Sequence, residues 1–494
     1  MIDKELFDKI KNNEIIKLNL NDYSIIFNNL DKLSELIKNN VSIEELNLNN
    51  NCIKDINKLC KNLKYNNTLK KLDLGCNFIK DITTLSEYIK TNKSLIYLNL
   101  YSNQIENIEL FSKSLKYNNF LTTLDLGHNN FNNIDLLFKS LKYNNTITDL
   151  NLWSNNIINI DELSKSLKYN KSIKILNLSN NKLKNIDSLG DCLYYNSTIE
   201  KLKLWNNKIE NIDLLLENLE YNKSLTELNL NSNYIKDLND CKFLKNTSLV
   251  NLYLENNLLN DINNFSENIK YNSSLTELEL SGNKISDVNL LFENLKNNKN
   301  LISIHLNNNC IKNINTIDNF LKNNDILEKI DLMDNNLENI DLLSENLKYN
   351  SSLTYLNLRN NKIKNITKLC ENLNYNSSLS YLNLSFNKLN NIDNLSKILK
   401  TNNSLVYLEL SYNDIINIDI LSDSLKYNSS LVYLDLGINE IENIDLLLQN
   451  LKYNNTLIDI NLYCNKNLKI DEEKILELFD YNFTLTNIYL RNCI

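Results

Sequence analysis

Residues 339–363 read NIDLLSENLKYNSSLTYLNLRNNKI, and two periods follow one another inside them. In Asn339 to Asn350 the apolar residues Ile340, Leu343 and Leu347 recur at i, i+3 and i+7, the stripe of a short helix. In Ser352 to Asn360 the apolar residues alternate, so Leu356 and Leu358 point to one face of a strand and Tyr355, Asn357 and Arg359 to the other. A helix of about two turns does not persist alone in water. A strand this short does not either, so each unit can bury its apolar side only against a copy of itself.

Copies are present along the whole chain. The pattern LxxLxLxxNxI begins at Ile15 and Ile43, recurs every 26 residues to Leu225, resumes at Leu249, recurs every 26 to Leu457 and returns at Leu485. That makes nineteen starts, with steps of 28 at either end and one of 24 in the middle. The irregular steps are where the coil is expected to start, end and bend. A helical cap over residues 1–14, an array of eighteen repeats over 15–484 and a partial repeat over 485–494 are expected, with Ile2, Leu6, Phe7 and Ile10 as the apolar side of the cap.

Three polar columns run through the repeats. The asparagine of the pattern (Asn51, Asn77, Asn103 and onward) is present in 17 of 19, with Tyr23 and Cys493 as terminal exceptions; its amide suits the N–H and C=O groups of the turn leaving the strand. A second asparagine stands three residues before every start, from Asn12 to Asn482, where a left-handed residue is expected after the helix. Asp135, Asp161, Asn239, Asp341 and Thr367 sit where side chains are expected to cap helix N-termini.

These residues resemble the leucine-rich repeat family, and KYNSSLTYLNLRNNKI is most similar to its intracellular, ribonuclease inhibitor-like subclass, which includes the sensor arrays of NOD-like receptors. The resemblance covers residues 12–494. It implies a right-handed α/β solenoid, with a parallel sheet on the concave face, short helices on the convex face and a binding surface between the strand leucines. The subclass usually has 28 or 29 residues per repeat, so 26 implies a shorter helix. The Asn-, Lys-, Ile- and Tyr-rich composition, without alanine, resembles coding from a very AT-rich genome such as that of an amoeba or a giant DNA virus.

Composition excludes several classes of function. There is no proline and there are only five glycines, so no flexible linker can be drawn. With 53 basic and 61 acidic residues the net charge is −8, which speaks against a nucleic-acid binder. No run reaches the roughly 18 apolar residues of a membrane span. The opening MIDKELFDKIKNN places charges where a secretory leader is apolar, so an intracellular, cytoplasmic protein is expected, in the host cytoplasm if viral. Nine cysteines without paired spacing read as free thiols, and neither a metal site nor a cofactor is expected. His128 and His305 lie seven repeats apart, roughly 34 Å at strand spacing, so no shared catalytic site is expected and the protein reads as a non-enzyme.

The outward strand positions hold the chain's rare residues. Trp153, Trp205, Met333, Arg359 and Arg491 share one strand-exit position. Tyr97, Tyr101, Trp153 and Trp205 form one candidate aromatic patch for a partner protein. Tyr355, Tyr381, Tyr407 and Tyr433 form a second, flanked by Arg359, Glu409 and Asp435. Tyr, Trp and Arg dominate protein–protein hot spots. Glu227, Glu255, Glu277 and Glu279 make an acidic strip suited to a basic segment. A second tyrosine column (Tyr117, Tyr143, Tyr169, Tyr349) reads as packing between helices, beside lysines that complement the helix dipole. A scaffold for a protein partner follows, with occlusion of an enzyme or GTPase as the alternative, and a monomer rather than a dimer.

Overall fold

The computed structural model describes residues 4–23, 27–131, 134–239, 241–246, 248–296, 298–466, 468–469 and 471–490. Arg491 and Cys493 lie outside the described residues, as does Ile2. The chain divides into two compact units, Met1–Ile235 and Lys236–Ile494.

Each unit repeats one coil. In the first, three-residue strands run from Lys17–Asn19 to Glu227–Asn229, and each pairs in parallel with the strand of the next repeat. In the second they run from Asn251–Tyr253 to Asn487–Tyr489 in the same way. The register is the sequence period itself: Tyr355 faces Tyr381, Leu356 faces Leu382 and Asn357 faces Asn383. Helices, mostly of seven residues such as Asp341–Leu347, form the other layer. Between the layers lies the core, in which a single repeat contributes Leu353, Leu356, Leu358, Ile363, Leu369 and Leu373, all 1% exposed or less. At about 2 kcal/mol for each fully buried leucine, stacking supplies what an isolated repeat lacks.

Variation in helix length explains the irregular spacings. The 28-residue steps contain the longer helices Phe27–Lys38 and Glu472–Tyr481. The 24-residue step has only the 3-10 turn Lys242–Lys245 where other repeats have an α-helix, and the boundary between the units falls in this repeat.

The first asparagine column does more than hold its own turn. Asn361 donates from Nδ2 to the carbonyls of Leu358 (3.1 Å) and Arg359 (3.3 Å), and also to Leu332 of the preceding repeat (2.9 Å). Its Oδ1 accepts from the N–H of Leu337, again in the preceding repeat (3.0 Å).

Two expectations for the other columns are corrected. The asparagine after the helix is not left-handed: Asn92, Asn196 and Asn272 are extended, with φ of −69°, −85° and −81°. Asn350 shows why, since its Oδ1 accepts from the N–H groups of Ser352 and Leu353 while Nδ2 reaches the carbonyls of Leu321 and Asn324 one repeat back. The left-handed residue instead directly precedes the first asparagine, as in Asn360 (φ 50°), and its N–H donates to the next repeat, here to Ser385 (2.9 Å). Helix capping is shifted too. The N-cap before Asp161 is Ile160, which makes no side-chain cap bond, and Asp161 itself donates its N–H to Asn159 Oδ1 (2.7 Å).

The thiol expectation is also corrected at one position. Cys52, Cys60, Cys76, Cys192, Cys241, Cys310 and Cys370 remain thiols, but Cys464 is disulfide-bonded. Cys464 occupies the left-handed turn position, the same one at which Cys76 remains a thiol, so position in the repeat gave no sign of this.

Candidate binding face of the strands

In each three-residue strand the central leucine or isoleucine faces the helices, and the residues on either side project outward. Side chains at one repeat position therefore line up about 4.8 Å apart.

In the first unit the strand-exit position reads Tyr101, Gly127, Trp153, Ser179, Trp205 over consecutive repeats. Small residues alternate with large ones, so rings two repeats apart can meet. Tyr101 stacks on Trp153 at 5.6 Å between centroids, and Trp153 meets Trp205 at 6.4 Å. A Cβ at Gly127 would lie 3.2 Å from the Tyr101 ring, so glycine is what lets that ring lie flat. His128 joins at 6.0 Å from both Tyr101 and Trp153. Trp153 Nε1 and Ser179 Oγ are the two buried side-chain polar atoms among the described residues that have no hydrogen-bond partner. Both lie in this patch. Tyr97 makes no ring contact with the cluster; burial and Asp73, Asp125 and Asp149 push its hydroxyl up to about 12.

In the second unit the tyrosine ladder is continuous. Tyr355 and Tyr381 are parallel at 4.3 Å, and Tyr407 and Tyr433 follow at 6.4 and 6.1 Å. Lys329 lies over Tyr355 at 4.7 Å. Glu409 accepts from the Tyr381 hydroxyl and from Asn383 Nδ2, both at 2.7 Å; burial raises its carboxyl, as it does that of Asp435.

Beside the ladder runs an edge that sequence reading missed. The Arg359 guanidinium covers the Phe386 ring at 4.4 Å, and Phe386 stacks on Tyr412 at 3.7 Å. Phe386, Tyr412 and Ile438 occupy the left-handed position in three consecutive repeats, with φ between 50° and 55°. Most other repeats place Asn, Asp, Ser or Gly there, so three large side chains in a row were the available signal.

The acidic residues have different partners. Glu227 belongs to the first unit and pairs with Lys201 at 2.9 Å. In the second, Glu277 accepts from the Tyr253 hydroxyl (2.9 Å), and Glu277 and Glu279 lie 3.9 and 3.8 Å from the two ring nitrogens of His305. Burial pushes the Glu279 carboxyl up to about 7, with Glu255 and Glu277 adding to the shift. Burial and Lys329 lower His305, so at neutral pH these contacts are not ion pairs. At nearly 4 Å they are not hydrogen bonds either.

On the opposite layer the helix-end tyrosines are not packed between helices as expected. Tyr117, Tyr143, Tyr169 and Tyr349 are exposed, and lysines of the preceding repeats cover the first three: Lys90 over Tyr117, Lys116 over Tyr143 and Lys142 over Tyr169. Among the described residues no three His, Cys, Asp or Glu side chains could jointly hold a metal ion, and no helix is long and apolar enough to cross a membrane.

Comparison with known proteins agrees with this architecture. The Leucine Rich repeat family matches seven segments: 65–82, 117–136, 221–238, 271–288, 349–366, 375–392 and 401–417. No curated protein matches the chain significantly. Among solved structures, a leucine-rich repeat protein of Leptospira interrogans is 25% identical, with 92% of this chain and 98% of that one covered and a TM-score of 0.59. The plant peptide hormone receptor RGFR1, solved in complex with RGF2, is 17% identical over 93% of this chain and 85% of that one, with a TM-score of 0.50. A TDR receptor is 18% identical over 99% and 92%, also at 0.50. With its parallel strands in a 26-residue register and its buried asparagine columns, the chain is a leucine-rich repeat protein.

Proposed function

We propose that the protein is a non-catalytic recognition scaffold, which binds a partner protein on the outward, concave face of its strands. The observation that carries this reading is the unbroken ladder Tyr355–Tyr381–Tyr407–Tyr433, whose rings are held in line by strand register before any partner arrives. Preorganised aromatic side chains lose little entropy on binding, so their buried area converts efficiently into affinity. The Tyr101–Trp153–Trp205 patch supplies a second set of anchors, while Glu277 and Glu279 add carboxyl groups beside His305 that can accept or share hydrogen bonds with a partner.

Affinity capture with the intact protein, a Tyr381→Ser/Tyr407→Ser variant and a Tyr349→Ser helix-side control tests the reading. Loss of an anchor at a hot spot costs about 2 kcal/mol or more, so partners of the ladder should disappear from the double variant and persist with the control. Identical capture by all three proteins removes the ladder from the binding face.

A further inference from the structure

A groove opens on the helix layer of the first unit, between the helices Thr83–Thr91, Glu109–Leu115 and Asp135–Leu141, with a volume of about 560 Å³. Ser114 and Ser140 line it, at the helix position where the helix before them carries the buried tyrosine Tyr88. Those two hydroxyls bond back to the carbonyls of Leu110 and Leu136, so the floor asks for no polar partner. Leu110 lies in this floor and is 51% exposed, which is unusual for a leucine in a chain that buries nearly all of its others.

The rim is cationic. Lys90, Lys113, Lys116 and Lys139 line the groove against one carboxylate, Glu87, which pairs with Lys64 at 2.9 Å. Lys113 and Lys139 have partners of their own in Glu109 (2.7 Å) and Glu162 (3.7 Å). Lys90 and Lys116 do not: among the described residues neither has a carboxylate at ion-pair distance, and each ammonium instead lies over a ring, that of Tyr117 or Tyr143, at 5.4 and 4.4 Å. A ring face holds a cation in place without neutralising it. Two positioned, uncompensated ammonium groups thus flank an apolar floor on a protein whose net charge is −8.

We propose that this groove is a docking site, separate from the strand face, for an acidic segment of a partner protein that seats one apolar side chain on Leu110 and Leu136 and directs carboxylates to Lys90 and Lys116. The requirement for both features distinguishes it from general attraction of anions.

Fluorescence anisotropy with a labelled synthetic peptide, Glu-Glu-Leu-Phe-Glu-Glu, tests the proposal beside its all-glutamine analogue. The acidic peptide should bind the full chain, weaken as salt rises, and bind at least tenfold more weakly to a Lys90→Gln/Lys116→Gln variant and to Leu110→Glu. These changes lie on the surface, and unaltered circular dichroism checks that the coil is intact. The Tyr381→Ser/Tyr407→Ser variant should bind the peptide like the parent protein, which keeps this site distinct from the ladder. Equal binding of the glutamine analogue, no detectable binding of the acidic peptide, or full retention by the lysine variant overturns the proposal.

Discussion

Asn361 shares one carboxamide among four backbone groups, two in its own repeat and two in the one before it. Burial of so polar a side chain costs little because its N–H groups and its carbonyl oxygen all have backbone partners. Glu279 is the opposite case, a carboxyl 16% exposed beside Glu255 and Glu277 and held up near 7 by burial. The folded protein keeps the Glu279 proton over a pH range in which the unfolded chain, with its ordinary value of 4.5, has already released it. Stability from this group is therefore full below about 4.5 and is lost as pH rises through about 7. Chemical denaturation at pH 5 and pH 8 should show Glu279→Gln gaining on the parent protein by about 1–3 kcal/mol at the higher pH. Comparison with that variant isolates the effect from His305, whose lowered value acts in the opposite direction as pH falls. An equal difference at both pH values would mean that Glu279 is ionised in the fold.

At the scale of the element, each turn is fixed by a bond to the neighbouring repeat rather than by its own residue type. Ile438 is left-handed because its N–H donates to Tyr463, although a β-branched side chain is strained there. Ile438→Asn should accordingly raise the unfolding free energy by about 0.5–1 kcal/mol, read from thermal melts; a lower midpoint would show that the side chain earns its strain through packing. This dependence on neighbours decides what was legible in the sequence. Strand and core were readable because alternation around Leu356 and Leu358 is local. The left-handed turn was misplaced because its partner stands a repeat away, and the helix cap because the accepting side chain is the recurrent Asn or Asp two residues earlier, as with Asn159 before Asp161. The tyrosine ladder followed from register alone. The Phe386–Tyr412 edge did not, since that position reads as a turn, and the ring contacts of the first patch run through Tyr101, Trp153 and Trp205 rather than Tyr97.

On the scale of the whole molecule, stability should behave as a sum over repeats and their interfaces. Deletion of residues 353–378, one full period, should leave circular dichroism per residue unchanged and preserve cooperative unfolding. Deletion of thirteen residues from the same place should lower helical signal and split the unfolding transition, because half a repeat at the cut can complete neither its strand nor its helix and the two flanking stacks lose their interface. If the 26-residue deletion were as damaging as the shorter one, the coil would not be modular.

The asparagine columns carry a further consequence for the lifetime of the chain. Asparagine followed by serine, as at Asn350–Ser351 and Asn376–Ser377, ages when the next backbone nitrogen attacks the side-chain carbon and leaves aspartate behind. Here each carboxamide is clamped at both ends, Asn376 to Leu347 and Asn350 behind it and to Leu379 ahead, which holds it away from that attack. Deamidation in these columns must then wait for a local opening of the coil, so the buried asparagines wear no faster than their repeats breathe.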